Sequence, residues 1–114
     1  INSEWTNFYS AMAYPGSQLH VMAKKNLWQL PEDKNGPGWI GYSQHAYECL
    51  PLRTEKLKAT EVLDFRDQAF LTYFNNSNYL SMIKSTFGEK TSEHIQKMTS
   101  HKISRKHHKE SVNY

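Results

Sequence analysis

The sequence predicts a mainly α-helical α+β fold, in which one short β segment precedes a series of helices. Residues 7–13 (NFYSAMA) mix aromatic and small side chains in the manner of a buried strand. Pro15 and Gly16 form a turn that ends this segment. From Ala59 onward, apolar residues recur at helical spacing instead of alternating. These three observations predict a strand-turn-helix unit followed by helices.

The first helix is predicted over residues 18–26. Ser17 is a suitable N-cap, because its hydroxyl can accept a hydrogen bond from a backbone N–H of the first turn. Leu19, Met22 and Ala23 fall on one side of this helix and give it a single apolar stripe. The unit therefore resembles one repeat of a parallel α/β array.

A loop rich in glycine and aromatic residues is predicted over residues 31–53. Its first part, residues 31–41 (PEDKNGPGWIG), is turn-forming throughout and marks a boundary. Residues 39–48 (WIGYSQHAYE) then combine glycine with aromatic and amide side chains. This stretch and the turn at Pro15 are the two site-like segments of the chain.

The strongest helical pattern covers residues 59–74. At about 100° per residue its apolar side chains cover close to half of the circumference, which predicts contact with two surfaces. Arg66 lies near the middle of this arc. Either it snorkels or pairs with Glu48 or Asp67, or it reaches a cavity and fixes a loop or an anionic group there.

Two further helices are predicted toward the C-terminus. The first covers residues 78–87, with Ser77 as N-cap and Gly88 as C-cap. The second covers residues 92–105, and its thin apolar stripe predicts a peripheral position. Residues 54–106 are thus predicted to form a helical extension. The lack of periodicity in residues 107–114 predicts a disordered tail.

The net charge of +3 is concentrated near the C-terminus, where residues 94–109 contain five cations and no acid. Such a run indicates a solvated helix end, with nucleic-acid or membrane-surface attachment as the alternative. The single cysteine excludes an internal disulfide and suits a reducing compartment. No apolar run approaches the ~20 residues that span a bilayer, and no signal peptide is recognisable. We therefore expect a cytoplasmic protein.

The candidate ligand-facing residues lie in the two site-like segments and on the long helix. They are Tyr14, Gly16, Ser17, Tyr42, Gln44, His45 and Arg66. His45 is the one catalytic candidate, because an imidazole can hydrogen-bond a substrate or donate a proton near neutral pH. The structural alternative is that Ser43, Gln44 and His45 brace the loop. Residues 14–17 are either a simple turn or a turn whose free backbone amides face a ligand.

No metal site is predicted. Four histidines follow residue 93, at positions 94, 101, 107 and 108. None has an acid or a cysteine at the spacing expected of metal ligands. These side chains are therefore interpreted as surface histidines of a basic helix.

Four stretches, in the order FYSAMAYPGSQL, WIGYSQHAYECLPL, ATEVLDFRDQAFLTYFNNSNYLSMI and FGEKTSEHIQKMTSHKISRK, resemble a known family. They are similar to the C-terminal part of radical S-adenosylmethionine enzymes that carry an N-terminal cobalamin-binding domain. The resemblance covers about residues 4–106. It implies a cobalamin-binding domain first, then a partial (β/α) barrel holding a four-iron four-sulfur cluster on a C-x-x-x-C-x-x-C motif, and a helical C-terminal extension.

On that layout, residues 1–30 would be the last strand-helix unit of the barrel. Tyr14 would sit at the end of its strand, where barrel enzymes place their chemistry, with residues 39–48 beside the mouth. The chain departs from the family pattern because it has no cysteine triad, and Cys49 does not match one. The cluster, S-adenosylmethionine and cobalamin would therefore be bound by the parent protein and none by this chain.

The expectation is thus the substrate-side, C-terminal segment of a cobalamin-dependent radical S-adenosylmethionine enzyme, with methyl transfer as the favoured reaction. Its partners would be the remainder of the enzyme, which we expect upstream of Ile1, and a small-molecule substrate. The isolated piece would self-associate if its apolar faces stayed uncovered. One alternative is an autonomous helical interaction module. A basic nucleic-acid-binding domain is less favoured, since the aromatic residues are not interleaved with the cations.

Overall fold

The computed structural model describes residues 2–108; Ile1 and residues 109–114 of the predicted disordered tail lie outside them. The described elements are α1 (Gln18–Lys25), a short 3₁₀ helix (Trp39–Tyr42), α2 (Ala59–Phe74), α3 (Ser77–Phe87) and α4 (Glu89–Ser100). No helix within residues 2–108 has both the length and the apolar character needed to cross a membrane.

The predicted α+β class is wrong. Residues 2–108 contain no β-strand, so the short β segment and the barrel remnant are both absent. The Gln44 side-chain amide accepts from the Ser10 N–H and donates to the Ser10 carbonyl, both at 2.9 Å. The Leu52 N–H donates to the Ala11 carbonyl at 3.1 Å. A side-chain amide offers a donor and an acceptor side by side, so residues 7–13 satisfy buried backbone groups without a neighbouring strand.

The predictions for α1 and α2 are confirmed. Ser17 is the N-cap of α1, and its Oγ accepts from the His20 N–H at 3.1 Å. Helix α2 covers the residues predicted for it. Its apolar arc is not fully buried, however, since Leu63 and Phe74 are buried whereas Phe65 is exposed.

The described residues divide into two compact units. The helical unit comprises residues 2–8 and Asp67–Lys102, and the loop-rich unit comprises Tyr9–Arg66 and residues 103–108. In the helical unit, α3 packs against α4. Its buried core consists of Phe74, Tyr79, Ile83 and Ile95.

The ends of α3 and α4 differ from the predicted ones. Asn76, not Ser77, caps α3, because its side chain accepts from the Tyr79 N–H at 3.1 Å. Gly88 ends α3 as predicted, with a positive φ of 93°. Helix α4 starts directly after it and ends at Ser100, whose Oγ donates to the Lys97 carbonyl at 2.6 Å. That bond satisfies a carbonyl at the helix end, well before the predicted end at residue 105.

The loop-rich unit buries two small apolar clusters. One contains Met12, Tyr42, Cys49 and Leu63; the other contains Ala13, Ala23, Leu30 and Leu52. The Leu50 N–H donates to the Gly41 carbonyl at 2.8 Å. A β-carbon on Gly41 would lie 2.6 Å from Pro37 Cγ, so the close approach of these loops requires glycine.

Residues 103–108 bind the loop that carries Tyr42, Gln44 and His45 of the predicted site. The guanidinium of Arg105 donates from Nη1 to the Ala46 carbonyl at 3.0 Å. The Lys106 N–H donates to the Tyr47 carbonyl at 2.9 Å. The 39–48 loop is therefore held by backbone and guanidinium donors as well as by its own turns.

Candidate functional site

Tyr42 lies at the centre of a buried hydrogen-bond network. Its hydroxyl donates to Glu32 Oε2 at 2.5 Å and lies 3.2 Å from the Ala13 carbonyl oxygen. The other carboxylate oxygen, Glu32 Oε1, is 2.5 Å from His20 Nε2. We call this set the Tyr42–Glu32–His20 network.

Three local structures bring these side chains together. His20 lies on the buried face of α1, beside Ala23. Glu32 follows Pro31 in a turn that Asp33 stabilises by accepting from the Leu30 N–H at 2.8 Å. The 3₁₀ helix Trp39–Tyr42 then presents the Tyr42 side chain inward.

The network fixes the charge of its members. Burial alone would raise the pKa of Glu32, but the hydrogen bonds from Tyr42 and His20 outweigh it, and the pKa is held below its ordinary value. Burial, followed by the bond to the Glu32 carboxylate, raises the pKa of Tyr42 far above that of a free phenol. At neutral pH the carboxylate is therefore ionised and the phenol protonated.

An aromatic stack extends from this network to the surface. The Tyr14 ring stacks on Tyr42 with a centroid distance of 5.4 Å and an interplanar angle of 30°. The Trp39 ring lies 5.9 Å from Tyr42 at the same angle. Tyr14 and Trp39 are exposed while Tyr42 is buried. The aromatic stack (Tyr14, Tyr42, Trp39) thus offers apolar ring surface to a planar or apolar ligand.

A second cluster joins His45 to the buried Arg66. Arg66 Nη2 lies 3.2 Å from His45 Nε2. A guanidinium has only donors, so His45 Nε2 accepts in this hydrogen bond. The edge of the His45 ring faces Tyr9 at 6.3 Å between centroids. His45 is exposed, so this bond holds its ring in place at the surface.

The predicted site residues therefore fall into two groups. Tyr14 and Tyr42 stack, and the adjoining turn contains Gly16, at a φ of 89°, and the N-cap Ser17. The second group is Gln44, His45 and Arg66. Gln44 braces residues 7–13 through Ser10, as the structural alternative requires, while His45 is exposed and able to meet a ligand.

Sequence reasoning missed His20 and Glu32. No spacing motif links a histidine on α1 to an acid in a distant turn and a tyrosine in a further loop. One signal was available, because His20 precedes Ala23 by one helical turn on the buried side of α1. A histidine in a buried stripe needs a polar partner.

The remaining reactive side chains are scattered. Within residues 2–108, no three His, Cys, Asp or Glu side chains are grouped to hold a metal ion. His108 Nε2 lies 2.9 Å from Asp64 Oδ1. His107 Nε2 is buried with no hydrogen-bond partner in the described part of the chain, and burial, with Lys106, lowers the pKa of His107. Cys49, the single cysteine of the sequence, is buried in the core.

Both oxygens of the Glu32 carboxylate are engaged, since Oε1 contacts His20 Nε2 and Oε2 accepts from the Tyr42 hydroxyl. Because Tyr42 belongs to both, this network is linked to the aromatic stack. No protein-family model, curated protein or solved structure matches this chain. The residues and their geometry must therefore carry the functional conclusion.

Proposed function

We propose that this chain is the substrate-side, C-terminal segment of a cobalamin-dependent radical S-adenosylmethionine enzyme, with methyl transfer as the favoured reaction. Support comes from the four sequence stretches and from one structural observation. Aromatic residues within those stretches are exposed, with Trp39 at 69% and Phe65 at 77%. A contiguous exposed apolar patch marks a surface that another polypeptide or a ligand covers, and these side chains would contribute to such a patch. The chain would then be inactive in isolation.

The cofactors of the proposed enzyme belong to its other domains. In the family that this sequence resembles, the four-iron four-sulfur cluster is held by three cysteines of one motif. This chain has only Cys49, whose thiol is fully buried. Its residues therefore do not fit a cluster, and we assign them no step that involves the cluster, S-adenosylmethionine or cobalamin.

The role proposed for this chain is to shape the substrate pocket. The aromatic stack would contact an apolar or planar part of a small-molecule substrate. His45, held by Arg66, would hydrogen-bond the substrate or donate a proton to it. We also propose a cytoplasmic location, because a chain with a single cysteine suits a reducing compartment.

The coding sequence upstream of Ile1 tests the family assignment directly. We expect it to encode a C-x-x-x-C-x-x-C motif within a few hundred residues, preceded by a cobalamin-binding domain. The proposal fails if that reading frame encodes neither. This test uses only the gene and does not depend on how the isolated chain folds.

Replacing His45 in the complete enzyme tests the site assignment. We expect His45→Ala to lower turnover by about tenfold or more, since a positioned proton donor contributes at least that much. His94→Ala, an exposed position on α4, is the matched control and should retain full activity. Iron content should be equal in both variants. Unchanged turnover of His45→Ala would show that the site assignment is wrong.

The second candidate function is an autonomous helical interaction module. It is favoured by the cores, because Phe74 and Tyr79 are fully buried in the helical unit, as are Ala23 and Leu63 in the loop-rich unit. Buried cores of this kind are what a self-sufficient module requires. Upstream sequence without the cysteine motif would select this alternative.

A further inference from the structure

An apolar groove lies along α1 in the loop-rich unit. It has a volume of about 740 Å³ and is open to solvent. Its apolar lining includes Leu19 and Met22 from α1, together with Trp28, Leu52 and Leu57. A smaller cavity of about 300 Å³ shares Trp28 with it and is lined in addition by Leu27.

Leu27 adopts a backbone conformation that is unusual for its residue type. Its φ is 57°, and its side chain is 91% exposed. The Leu27 N–H donates to the Lys24 carbonyl, and the Trp28 N–H donates to the Ala23 carbonyl. This is the helix-ending pattern in which glycine normally occupies the left-handed position. A leucine here is strained and exposes its whole side chain, so its presence points to a contact outside the chain.

The rim of the groove is positively charged. Arg53 and Lys56 line the groove beside a single acid, Glu55, and Lys58 lines the smaller cavity. The Arg53 guanidinium carbon lies 5.9 Å from the centroid of the Trp28 ring. Within residues 2–108, none of these three cations forms an ion pair. The rim of the groove, with two cations and one acid, therefore presents a net positive charge next to apolar surface.

We propose that this groove binds an amphipathic helix that carries acidic residues beside its apolar face. Such a helix places side chains at i, i+3, i+4 and i+7 into an apolar groove, and its carboxylates would meet Arg53, Lys56 and Lys58. Leu27 would pack against the same helix. This partner goes beyond the proposed function and is independent of it, because its apolar face and its acidic residues follow from the lining and the charge of the groove alone.

Other occupants match the groove less well. A small ligand buries most of its surface in its site, whereas this groove is open along one side. A second copy of this chain has the same net charge of +3, so the two copies repel each other. An anionic membrane would satisfy the cations, but the apolar lining is concave and a membrane surface would not fill it.

Two matched libraries of displayed helical peptides test the proposal on the 114-residue chain. Both have apolar residues at i, i+3, i+4 and i+7; one has Asp and Glu at the flanking positions, and the other has Lys and Arg. We expect binders only from the acidic library. The affinity of the best binder, measured by fluorescence anisotropy, should weaken with added salt.

Variants then locate the binding surface. Replacing Arg53, Lys56 and Lys58 together with Gln should weaken binding by about tenfold or more, whereas replacing Lys34, Lys90 and Lys97 with Gln should not. Leu27→Asn should weaken binding about fivefold, because asparagine tolerates the left-handed conformation but is polar. Val21→Asn, on the exposed side of α1 and outside the groove, is its control. Circular dichroism checks folding, and Leu27→Gly replaces any Leu27 variant that fails it.

Three outcomes would overturn the proposal. One is the absence of binders from the acidic library, or equal enrichment from the basic one. The second is undiminished binding by the Arg53, Lys56 and Lys58 variant or by the folded Leu27 variant. The third is binding to phosphatidylserine vesicles that is lost in those variants, in the absence of acidic peptide binders, which would assign the surface to a membrane.

Discussion

The two units of this chain combine apolar packing and polar bonds differently, although Tyr73 and Tyr79 of the helical unit also donate hydrogen bonds to the Ser3 and Glu4 carbonyls. In the helical unit, the rings of Phe70, Phe74, Tyr73 and Tyr79 pack with neighbouring centroids 4.9 to 5.4 Å apart. The loop-rich unit has smaller apolar clusters and depends on polar side chains that reach distant backbone groups and one another. Gln44 binds Ser10, Arg105 binds Ala46, and Tyr42 binds Glu32.

This difference determines how each unit responds to substitution. Apolar contacts are non-directional and numerous, so the helical unit loses stability in proportion to the volume removed from its core. A directional bond to a buried group has no substitute once its donor is lost. Removing a single polar atom from the loop-rich unit should therefore lower stability measurably, although less than removing a whole apolar side chain from the helical core.

The largest expected effect is that of Phe74→Ala in the helical unit. Phe74 is fully buried against four other aromatic rings, so its removal leaves a cavity. We expect the free energy of unfolding to fall by about 3–5 kcal/mol, measured by urea denaturation. Phe87→Ala, at the exposed end of α3, is the control and should change it by about 0.5 kcal/mol or less. A cost for Phe74→Ala no greater than that of the control would contradict this view of the core.

A smaller effect is expected from Tyr42→Phe in the loop-rich unit. The substitution keeps the ring stack but removes the hydroxyl that binds Glu32 and approaches the Ala13 carbonyl. We expect a loss of about 1–3 kcal/mol, because these buried acceptors lose their donor. Tyr14→Phe is the control, since the Tyr14 hydroxyl makes no hydrogen bond within residues 2–108. The Leu50 amide should therefore exchange its hydrogen faster in Tyr42→Phe than in Tyr14→Phe. Equal exchange rates in the two variants would show that the network does not stabilise this unit.

The smallest effect is expected on acidification. The pKa of Glu32 is lowered in the folded state from its ordinary value of 4.5, so the unfolded state binds more protons as the pH falls. The stability that Glu32 contributes is fully present above pH 4.5 and is lost as the pH falls through the folded pKa. The loss should be smaller than that of Tyr42→Phe, because a protonated carboxyl still forms hydrogen bonds.

Comparison with Glu32→Gln isolates this carboxylate from the other acids. Urea denaturation of both proteins from pH 7 to pH 3 should show a steeper loss of stability in the parent chain. Parallel pH curves for the two proteins would show that Glu32 is not the group responsible.

The positions of the helices were largely predictable from the sequence, and the contacts of the non-helical segments were not. The bounds of α2 and the Gly88 end of α3 follow from periodicity and capping, which are local properties. The strand predicted over residues 7–13 is absent. Sequence periodicity could not reveal that Gln44, distant in the sequence, would bind Ser10 instead of a neighbouring strand. Such contacts depend on tertiary structure.

The candidate site, too, could be predicted only in part from the sequence. Tyr42 and His45 were singled out by their place in a loop rich in aromatic and amide residues. Their partners were not all found, because Glu32 lies in a turn whose composition indicates only a boundary, and His20 lies within a short helix. The Arg66 contact with His45 was not predicted either, although its burial in an apolar arc was anticipated.

The pair of hydrogen bonds between the Gln44 side chain and the Ser10 backbone has a consequence for solubility. An extended stretch with unpaired backbone groups is a template on which another chain can add and begin an aggregate. Gln44 occupies both hydrogen-bonding groups of Ser10, so incoming chains find neither group available at that residue. One amide side chain thus blocks intermolecular pairing at Ser10, in the middle of a stretch of aromatic and small residues.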